Sequence, residues 1–383
     1  MKFRDLKKQY RELENELNLA VLDVMRSGQY IGGKRVADLE QRLADYVGVK
    51  HCISCANGTD AITLVLMSWG IGPGDAVFVP DFTFFATGEV VAQLGATPVF
   101  VDVDPDTFNI DPNSFNEAVS IIQKSGQLNP AAVIPVDLFG LPADYPALEA
   151  IAKKYEIRIL EDGAQGFGGA YMGKRACSFG DAATTSFFPS KPLGCYGDGG
   201  AIFTDDDNLT NMVKSLKVHG RGNDKYDNIR IGMNSRLDAL QAAILDIKLS
   251  ALIDFELDRV NLIYEEYSKK MEKFVKVPFI PEGYYSSFAQ YTIQLEDEYT
   301  RNMLQKNLRA QGIPTMVYYK KPMHKQKAFE DAYEAPVDLS NSIKLCEIVL
   351  SLPMHPYLDP LDIELITSSV IEEISNRMQS KSL

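Results

Sequence analysis

The sequence predicts an α/β protein, in which a large domain on a mostly parallel central sheet is followed by a smaller α+β domain. Three observations carry this reading. Short apolar runs alternate with helical segments as far as about residue 205, the pattern of a sheet with helices on both faces. A long helical stretch then runs from Asn234 to Phe274, after which Pro278 and Pro281 lead into an alternating strand and mark a crossing between domains. The boundary falls between residues 1–250 and 251–383, and 45% hydrophobic content is enough for two cores of that size.

Element by element, Leu6, Tyr10, Leu13, Leu17, Val21 and Val24 recur at helical spacing, so an amphipathic helix opens the chain and the turn Gly28 to Gly33 follows it. The strand runs are Cys52 to Cys55, Ala76 to Pro80, Pro98 to Val103, Ala132 to Val136, Arg158 to Leu160, Thr184 to Phe188 and Ala201 to Thr204. In the smaller domain the pattern reads strand (Phe288 to Leu295), helix (Tyr299 to Gln311), strand (Pro314 to Tyr319) and a last helix. That helix has Asp359 as N-cap, Pro360 in its first turn, and a buried stripe of Ile363, Ile366, Val370 and Ile374.

Composition removes several function classes. A formal net charge of -13 offers no general attraction to nucleic acid or to an anionic membrane. The N-terminus is charged from the start, and no run of eighteen apolar residues is present, so a cytoplasmic location is expected. Five cysteines are an odd number and too few for a disulfide scaffold, while Cys52 and Cys55 lie in an apolar run suited to burial rather than to metal; no metal site is expected. The glycine-rich stretch Gly166 to Lys174 fails as a nucleotide loop, because Arg175 stands where a Walker-type loop needs Ser or Thr; a surface hairpin explains it.

Four segments carry chemistry. Asn57-Gly58-Thr59-Asp60 sits between a strand and a helix, where backbone amides can cup a phosphate, or where Thr59 or Asp60 simply caps the helix. Phe84, in Phe82-Thr83-Phe84-Phe85, can stack on a flat heteroaromatic ring or pack in the core. Asp162 ends an apolar strand, where open α/β sheets place ligands, although a helix cap there would look the same. Lys191 follows in Ser186-Phe187-Phe188-Pro189-Ser190-Lys191. Pyridoxal phosphate chemistry needs this pair: an amine to form a Schiff base with the aldehyde, and a carboxylate to keep the pyridine nitrogen protonated.

In this order on one α/β domain, these segments resemble the DegT/StrS family of nucleotide-sugar aminotransferases, fold type I pyridoxal phosphate enzymes, over essentially the whole chain. The matching segments are GQYIGG (28–33), CANGTDA (55–61), FTFFAT (82–87), EDGAQ (161–165), SFFPSKPLGCYGDGGAI (186–202), HGR (219–221), NSRLDALQAAIL (234–245) and SLPMHPYL (351–358). Among subgroups the chain is most similar to the WbpE-like enzymes, which aminate C3 of a UDP-linked 3-keto hexuronic acid and serve polysaccharide biosynthesis, including lipopolysaccharide O-antigen. The resemblance implies pyridoxal 5'-phosphate (PLP/PMP) as cofactor, with Lys191 and Asp162 catalytic. Gln165 would bond the ring hydroxyl, Phe84 would stack on the ring, and Gly58, Thr59, Asp60, Ser186 and Asn234 would hold the phosphate. Asn234 would reach across from the second subunit of a homodimer with shared active sites. Tyr30, His219, Arg236, Tyr318 and Tyr319 would meet the substrate.

Two departures bear on that substrate. Asp137 stands where many relatives have histidine or serine, and either contacts a sugar hydroxyl or caps a turn. Tyr318-Tyr319-Lys320-Lys321 replaces the His-Tyr-Pro stretch usual in the WbpE-like enzymes, and Lys320, Lys321, Lys325 and Lys327 form a basic cluster suited to a diphosphate or carboxylate, or a solvated face. The expected reaction moves an amino group from L-glutamate to a nucleotide-linked keto sugar, with the freed Lys191 amine moving the proton. Amination of a 4-keto-6-deoxy sugar is the alternative within the enzyme class, and a PLP-binding regulatory protein is the alternative outside it. The dehydratases of the family carry histidine in place of Lys191.

Overall fold

In the computed structural model, residues 1–224, 226–330 and 333–381 are described, with side chains as far as 379. Helix α1 (Leu6–Ser27) is capped by Asp5, whose carboxylate accepts from the amides of Lys7 and Lys8, and it ends at the left-handed Gly28. Helix α2 (Lys34–Val47) and strand β1 (His51–Cys55) follow. Next come α3 (Gly58–Trp69), β2 (Asp75–Pro80), α4 (Ala86–Gln93), β3 (Thr97–Val101), α5 (Pro112–Ser125), β4 (Asn129–Val133), α6 (Tyr145–Tyr155) and β5 (Arg158–Asp162). A hairpin of β6 (Ala170–Tyr171) and β7 (Lys174–Arg175) interrupts the alternation before β8 (Ala182–Ser186), β9 (Gly200–Thr204) and α7 (Asp207–Leu216). The glycine-rich stretch is thus a hairpin, as expected.

The strands assemble in the order β1-β9-β8-β5-β4-β2-β3. Pairs β2/β3, β2/β4, β4/β5 and β5/β8 are parallel, and β9 runs against both its neighbours. Reversing β9 alone leaves every other strand pointing one way, so their C-terminal ends share one edge. Alternation along the strands feeds cores on both faces: Ile53, Val77, Val79, Leu160 and Ile202 face one side with α3, whereas Ala76, Phe78, Val99 and Ile159 pack with α5 and α6, and Cys52, Ala183 and Phe203 with α2. Each large side chain removed from water there contributes about 1.5–3 kcal/mol.

Helices α8 (Ala239–Ala251) and α9 (Leu257–Met271) are joined by a π-helical turn over Leu252–Glu256, which accounts for the long helical stretch in the sequence. Helix α1 packs along α8 through Leu13, Leu17, Ile244 and Ala251. After β10 (Tyr284–Tyr285), a separate core forms from α9, β11 (Tyr291–Gln294), α10 (Glu298–Ala310), β12 (Val349–Leu352) and α12 (Pro360–Lys381), with α11 (Ser340–Ile348) leading into β12. Between them Met323, Phe329 and Leu339 return to the core of the parallel sheet.

Two expectations change. The strand expected over Pro314 to Tyr319 is reduced to a bridge between Met316 and Ser351, on the edge of β12 that β11 leaves open; Pro314 has no amide to donate to it. Asp359 occupies the cap position of α12 through its carbonyl, which receives the Ile363 amide at 3.1 Å, but its carboxylate turns to Lys8 Nζ at 2.5 Å.

Candidate active site

The shared strand edge closes around a cavity of about 550 Å³. Its floor begins where β1 meets α3. Asn57, extended, caps α3 by accepting the Asp60 amide at 2.8 Å, so the cap is Asn57 rather than Thr59 or Asp60. Gly58 brings this helix end against the end of β8: a Cβ there would lie 2.7 Å from the Ser186 Cβ. Gly200 does the same from β9, since its Cβ would meet the Asn57 carbonyl at 2.4 Å. Gly58, Thr59 and Ser186 therefore form one small concavity at a helix N-terminus, a setting favourable to an anion.

Asp162 ends β5, buried at the inner wall. Its Oδ2 accepts from the Thr87 hydroxyl at 3.0 Å and its Oδ1 from the Ala164 amide at 3.2 Å. Burial pushes its pKa up, while Ala164, Lys191 and Thr87 pull it back. Lys191, on the loop after β8, lines the same cavity, and burial lowers the pKa of its amine; Asp162 opposes that shift and Arg4 adds to it. Phe84 presents a ring that is 56% exposed, whereas Phe82 is buried in an aromatic group with Phe108, Phe139 and Tyr319. Gln165 is fixed by accepting the Phe139 amide at 2.9 Å and donating to the Tyr319 hydroxyl at 3.3 Å. Tyr318 and Tyr319 complete this side, both phenols raised in pKa by burial.

The cavity thus gathers Gly58, Thr59, Phe84, Asp162, Gln165, Ser186, Lys191, Tyr318 and Tyr319, but not Asp60, Tyr30, His219, Asn234 or Arg236. The Asp60 amide is occupied by Asn57. Asn234 is bridged to Val218, the His219 amide bonds Met233, and the Tyr30 carbonyl accepts from Ala239. Asn234, His219 and Tyr30 are exposed and Arg236 is half-buried. Asp137 does not reach the cavity. It is fully buried, its Oδ1 accepting from the Ala143 amide at 3.0 Å and the Tyr145 hydroxyl at 2.7 Å, so of the two roles considered the structure shows the turn cap. Of the lysine cluster Lys321 lines the cavity, and Lys320, Lys325 and Lys327 are exposed outside it.

Sequence reasoning passed over Thr87, though it closes the FTFFAT segment, and also Gln290, Gln326 and the Asp81–His324 pair. Asp81, fully buried, accepts the His324 amide at 2.7 Å and meets its Nδ1 at 2.6 Å, anchoring the chain that carries Met323 and Gln326 into the wall. Nothing local in the sequence pairs residues so far apart.

These residues fit pyridoxal phosphate. The helix-end concavity suits the phosphate, the bared Phe84 ring suits a flat heterocycle, and Asp162 and Lys191 suit its nitrogen and aldehyde. Thr83 Oγ1 and Gln290 Oε1, both buried in the cavity wall, have no hydrogen-bond partner in the protein. Among the described residues no cluster has the makings of a metal site, the cysteines are free and buried, and no helix is long and apolar enough to cross a membrane.

Comparison with known proteins agrees. The profile of the DegT/DnrJ/EryC1/StrS aminotransferase family matches residues 11–371. A UDP-2-acetamido-2-deoxy-3-oxo-D-glucuronate aminotransferase of Pseudomonas aeruginosa is 46% identical, covering 97% of this chain and 99% of its own. A UDP-N-acetyl-3-dehydro-alpha-D-glucosamine 3-aminotransferase of Acidithiobacillus ferrooxidans is 39% identical over 92% of both chains. A crystal structure of an aminotransferase of this family from Brucella abortus superposes with a TM-score of 0.94 at 48% identity, covering 97% of this chain and 98% of its own. The chain belongs to the DegT/DnrJ/EryC1/StrS aminotransferase family and is a pyridoxal phosphate-dependent sugar aminotransferase.

Proposed function

We propose that the protein transfers an amino group from L-glutamate to C3 of a UDP-linked 3-keto sugar, either a 2-acetamido-2-deoxy-3-oxo hexuronate or the corresponding hexose. The observation that carries this reading is the 46% identity, over nearly the full length of both chains, to an enzyme named for a UDP-3-oxo-glucuronate. The cavity supports it: beyond Asp162 and Lys191 it extends to Gln290, Lys321 and Gln326, which offer hydrogen-bonding groups and a cation to an anionic sugar nucleotide.

The cofactor, when bound, supplies an electron sink for the carbon that loses its proton. In this reading Asp162 would hold a proton at the pyridine nitrogen, and the Lys191 amine would hold the cofactor and take the proton from the donor Cα. A lowered amine pKa leaves more of Lys191 neutral and able to accept that proton. Gly58, Thr59 and Ser186 hold the phosphate, with the Asp60 backbone adjoining. Phe84 would cover one ring face and Gln165 would orient the ring hydroxyl. Tyr318 and Tyr319 bound the sugar side and keep water away from it.

Asn234, Arg236, Tyr30 and His219 are absent from their own cavity, and in our reading they complete the cavity of a second copy. Exposed Ile31 (54%), Ile229 (56%) and Ile231 (88%) lie near them in sequence and would be covered in such a homodimer. The same reading keeps the domain division at residues 1–250 and 251–383. It also places the enzyme in the cytoplasm, making an amino sugar for a surface polysaccharide such as lipopolysaccharide O-antigen.

Incubation with glutamate and a panel of UDP- and dTDP-linked 3-keto and 4-keto sugars, read by mass, tests the substrate. Amination of a UDP-3-keto sugar is expected. Amination of 4-keto sugars alone selects the other aminotransferase reading, and no amination of any member ends the proposal. Lys191→Ala is expected to abolish the visible band of the bound cofactor.

A further inference from the structure

The loop that carries Lys191 is gripped from behind by two cations outside the cavity. Arg4 donates from Nη2 to the Lys191 carbonyl at 2.9 Å and to the Pro192 carbonyl at 3.5 Å. Lys248, 1% exposed on α8, donates from Nζ to the Gly194 carbonyl and lies 5.0 Å from the centre of the Tyr196 ring. One buried carboxylate is close enough to act electrostatically on both cations. Glu256, 3% exposed, closes the π-helical turn between α8 and α9, a device that shifts side-chain direction along a helix. Its Oε1 accepts from Gln9 Nε2 at 2.8 Å and from the Tyr357 hydroxyl at 2.5 Å, and its negative charge acts on Arg4 and Lys248 alike.

Such a cluster is an expensive way to hold a loop. Burying a lysine and a glutamate costs several kcal/mol each before their mutual attraction returns it, and an apolar contact would anchor the chain at less cost. What the cluster does provide is directional: donors fix the carbonyls of residues 191, 192 and 194, and thereby the direction in which the Lys191 side chain leaves the backbone.

We propose that Arg4 and Lys248 are positioning residues for Lys191, holding its loop so that the amine meets the cofactor and the substrate carbon in one orientation. The inference rests on the reading of Lys191 as the cofactor-bearing lysine. Arg4 has a second effect, because its charge disfavours protonation of the Lys191 amine; Asp162 is the opposing charge that acts on the same group.

The test uses the apoprotein first. Trace acetylation across pH, read at the Lys191 peptide by mass spectrometry, gives the pH midpoint of that amine without any cofactor. Arg4→Gln is expected to raise the midpoint and, in the holoenzyme, to lower kcat about tenfold to a hundredfold with little change in KM for glutamate. Arg4→Lys, which returns the charge, is expected to return the midpoint. Lys248→Met, which keeps the length and the burial, is expected to slow the development of the visible band when pyridoxal phosphate is added. Folded Arg4→Gln with unchanged midpoint and kcat overturns the proposal, as does Lys248→Met with an unchanged rate of cofactor capture. Retention of the visible band by Lys191→Ala would instead remove the reading beneath it and leave the midpoint measurement intact.

Discussion

Thr87 donates its hydroxyl proton to the Asp162 carboxylate across 3.0 Å, tying the first turn of α4 to the end of β5. The bond favours the ionised carboxylate in a place where burial favours the neutral one. Thr87→Val keeps the shape and removes the donor. A hydrogen bond to a charged group is worth about 1.5–3 kcal/mol, so pyridoxal phosphate should bind about tenfold to a hundredfold more weakly, as a visible titration of the apoprotein will measure.

Asp162→Asn should separate holding the cofactor from activating it. The amide oxygen still accepts from Thr87 or Ala164, but a neutral side chain cannot keep the pyridine nitrogen protonated. Holoenzyme should form with a visible band, and kcat should fall by at least about a hundredfold. A wild-type kcat would remove Asp162 from the chemistry.

Gly58→Ala tests the close approach of α3 to β8. The added Cβ sits 2.7 Å from the Ser186 Cβ, so one of the two elements must move. Overpacking of this kind costs about 1–3 kcal/mol, to be seen as a lower melting temperature of the apoprotein. Phosphate affinity should drop with it, measured by inorganic phosphate competing for the apoprotein.

A pH effect should come from beneath the site. Asp137 Oδ2 has no donor of its own, and Glu161 is its neighbour. Burial raises both carboxyls, Asp137 to about 6 and Glu161 well above the usual range, so the two share a proton in the folded state. A carboxyl with a raised folded-state pKa gives stability that is present below its unfolded pKa, near 4, and lost as pH rises through the folded value. Apoprotein stability should therefore decline as pH rises from about 4 through the raised range of the pair. Asp137→Asn supplies the shared hydrogen permanently, and chemical denaturation at several pH values should show the decline flattened.

The strands of the parallel sheet were legible because burial on both faces writes them as continuous apolar runs bounded by turns. The hairpin at 170–175 was legible from its glycines. Helix α2 was not read as a helix, although Val36, Leu39, Leu43 and Val47 recur at helical spacing, because it follows Gly33 with no side-chain cap to mark its start. The extra strand read over Pro314 to Tyr319 shows the opposite failure, local β-propensity that becomes pairing at Met316 alone. Within the site, segment motifs led to Phe84, Asp162, Gln165, Ser186 and Lys191. They led equally to Asp60, whose amide its own helix cap consumes, and to Asn234, Arg236, Tyr30 and His219, which do not line the cavity of the chain that bears them. The contacts of Thr87, His324 and Arg4 depend on tertiary folding alone, and no spacing rule reveals them.

The cavity takes its lining from Asn57 near one end of the chain to Gln326 near the other, and its loop is steadied by Arg4. No short fragment contains it. Cofactor uptake must therefore come late in maturation, after both cores have closed, and a chain that has acquired its colour has thereby reported that its distant segments have met. Loading then adds its own binding free energy to that finished state alone, so a shortage of the cofactor would expose the unloaded chains first to unfolding and degradation.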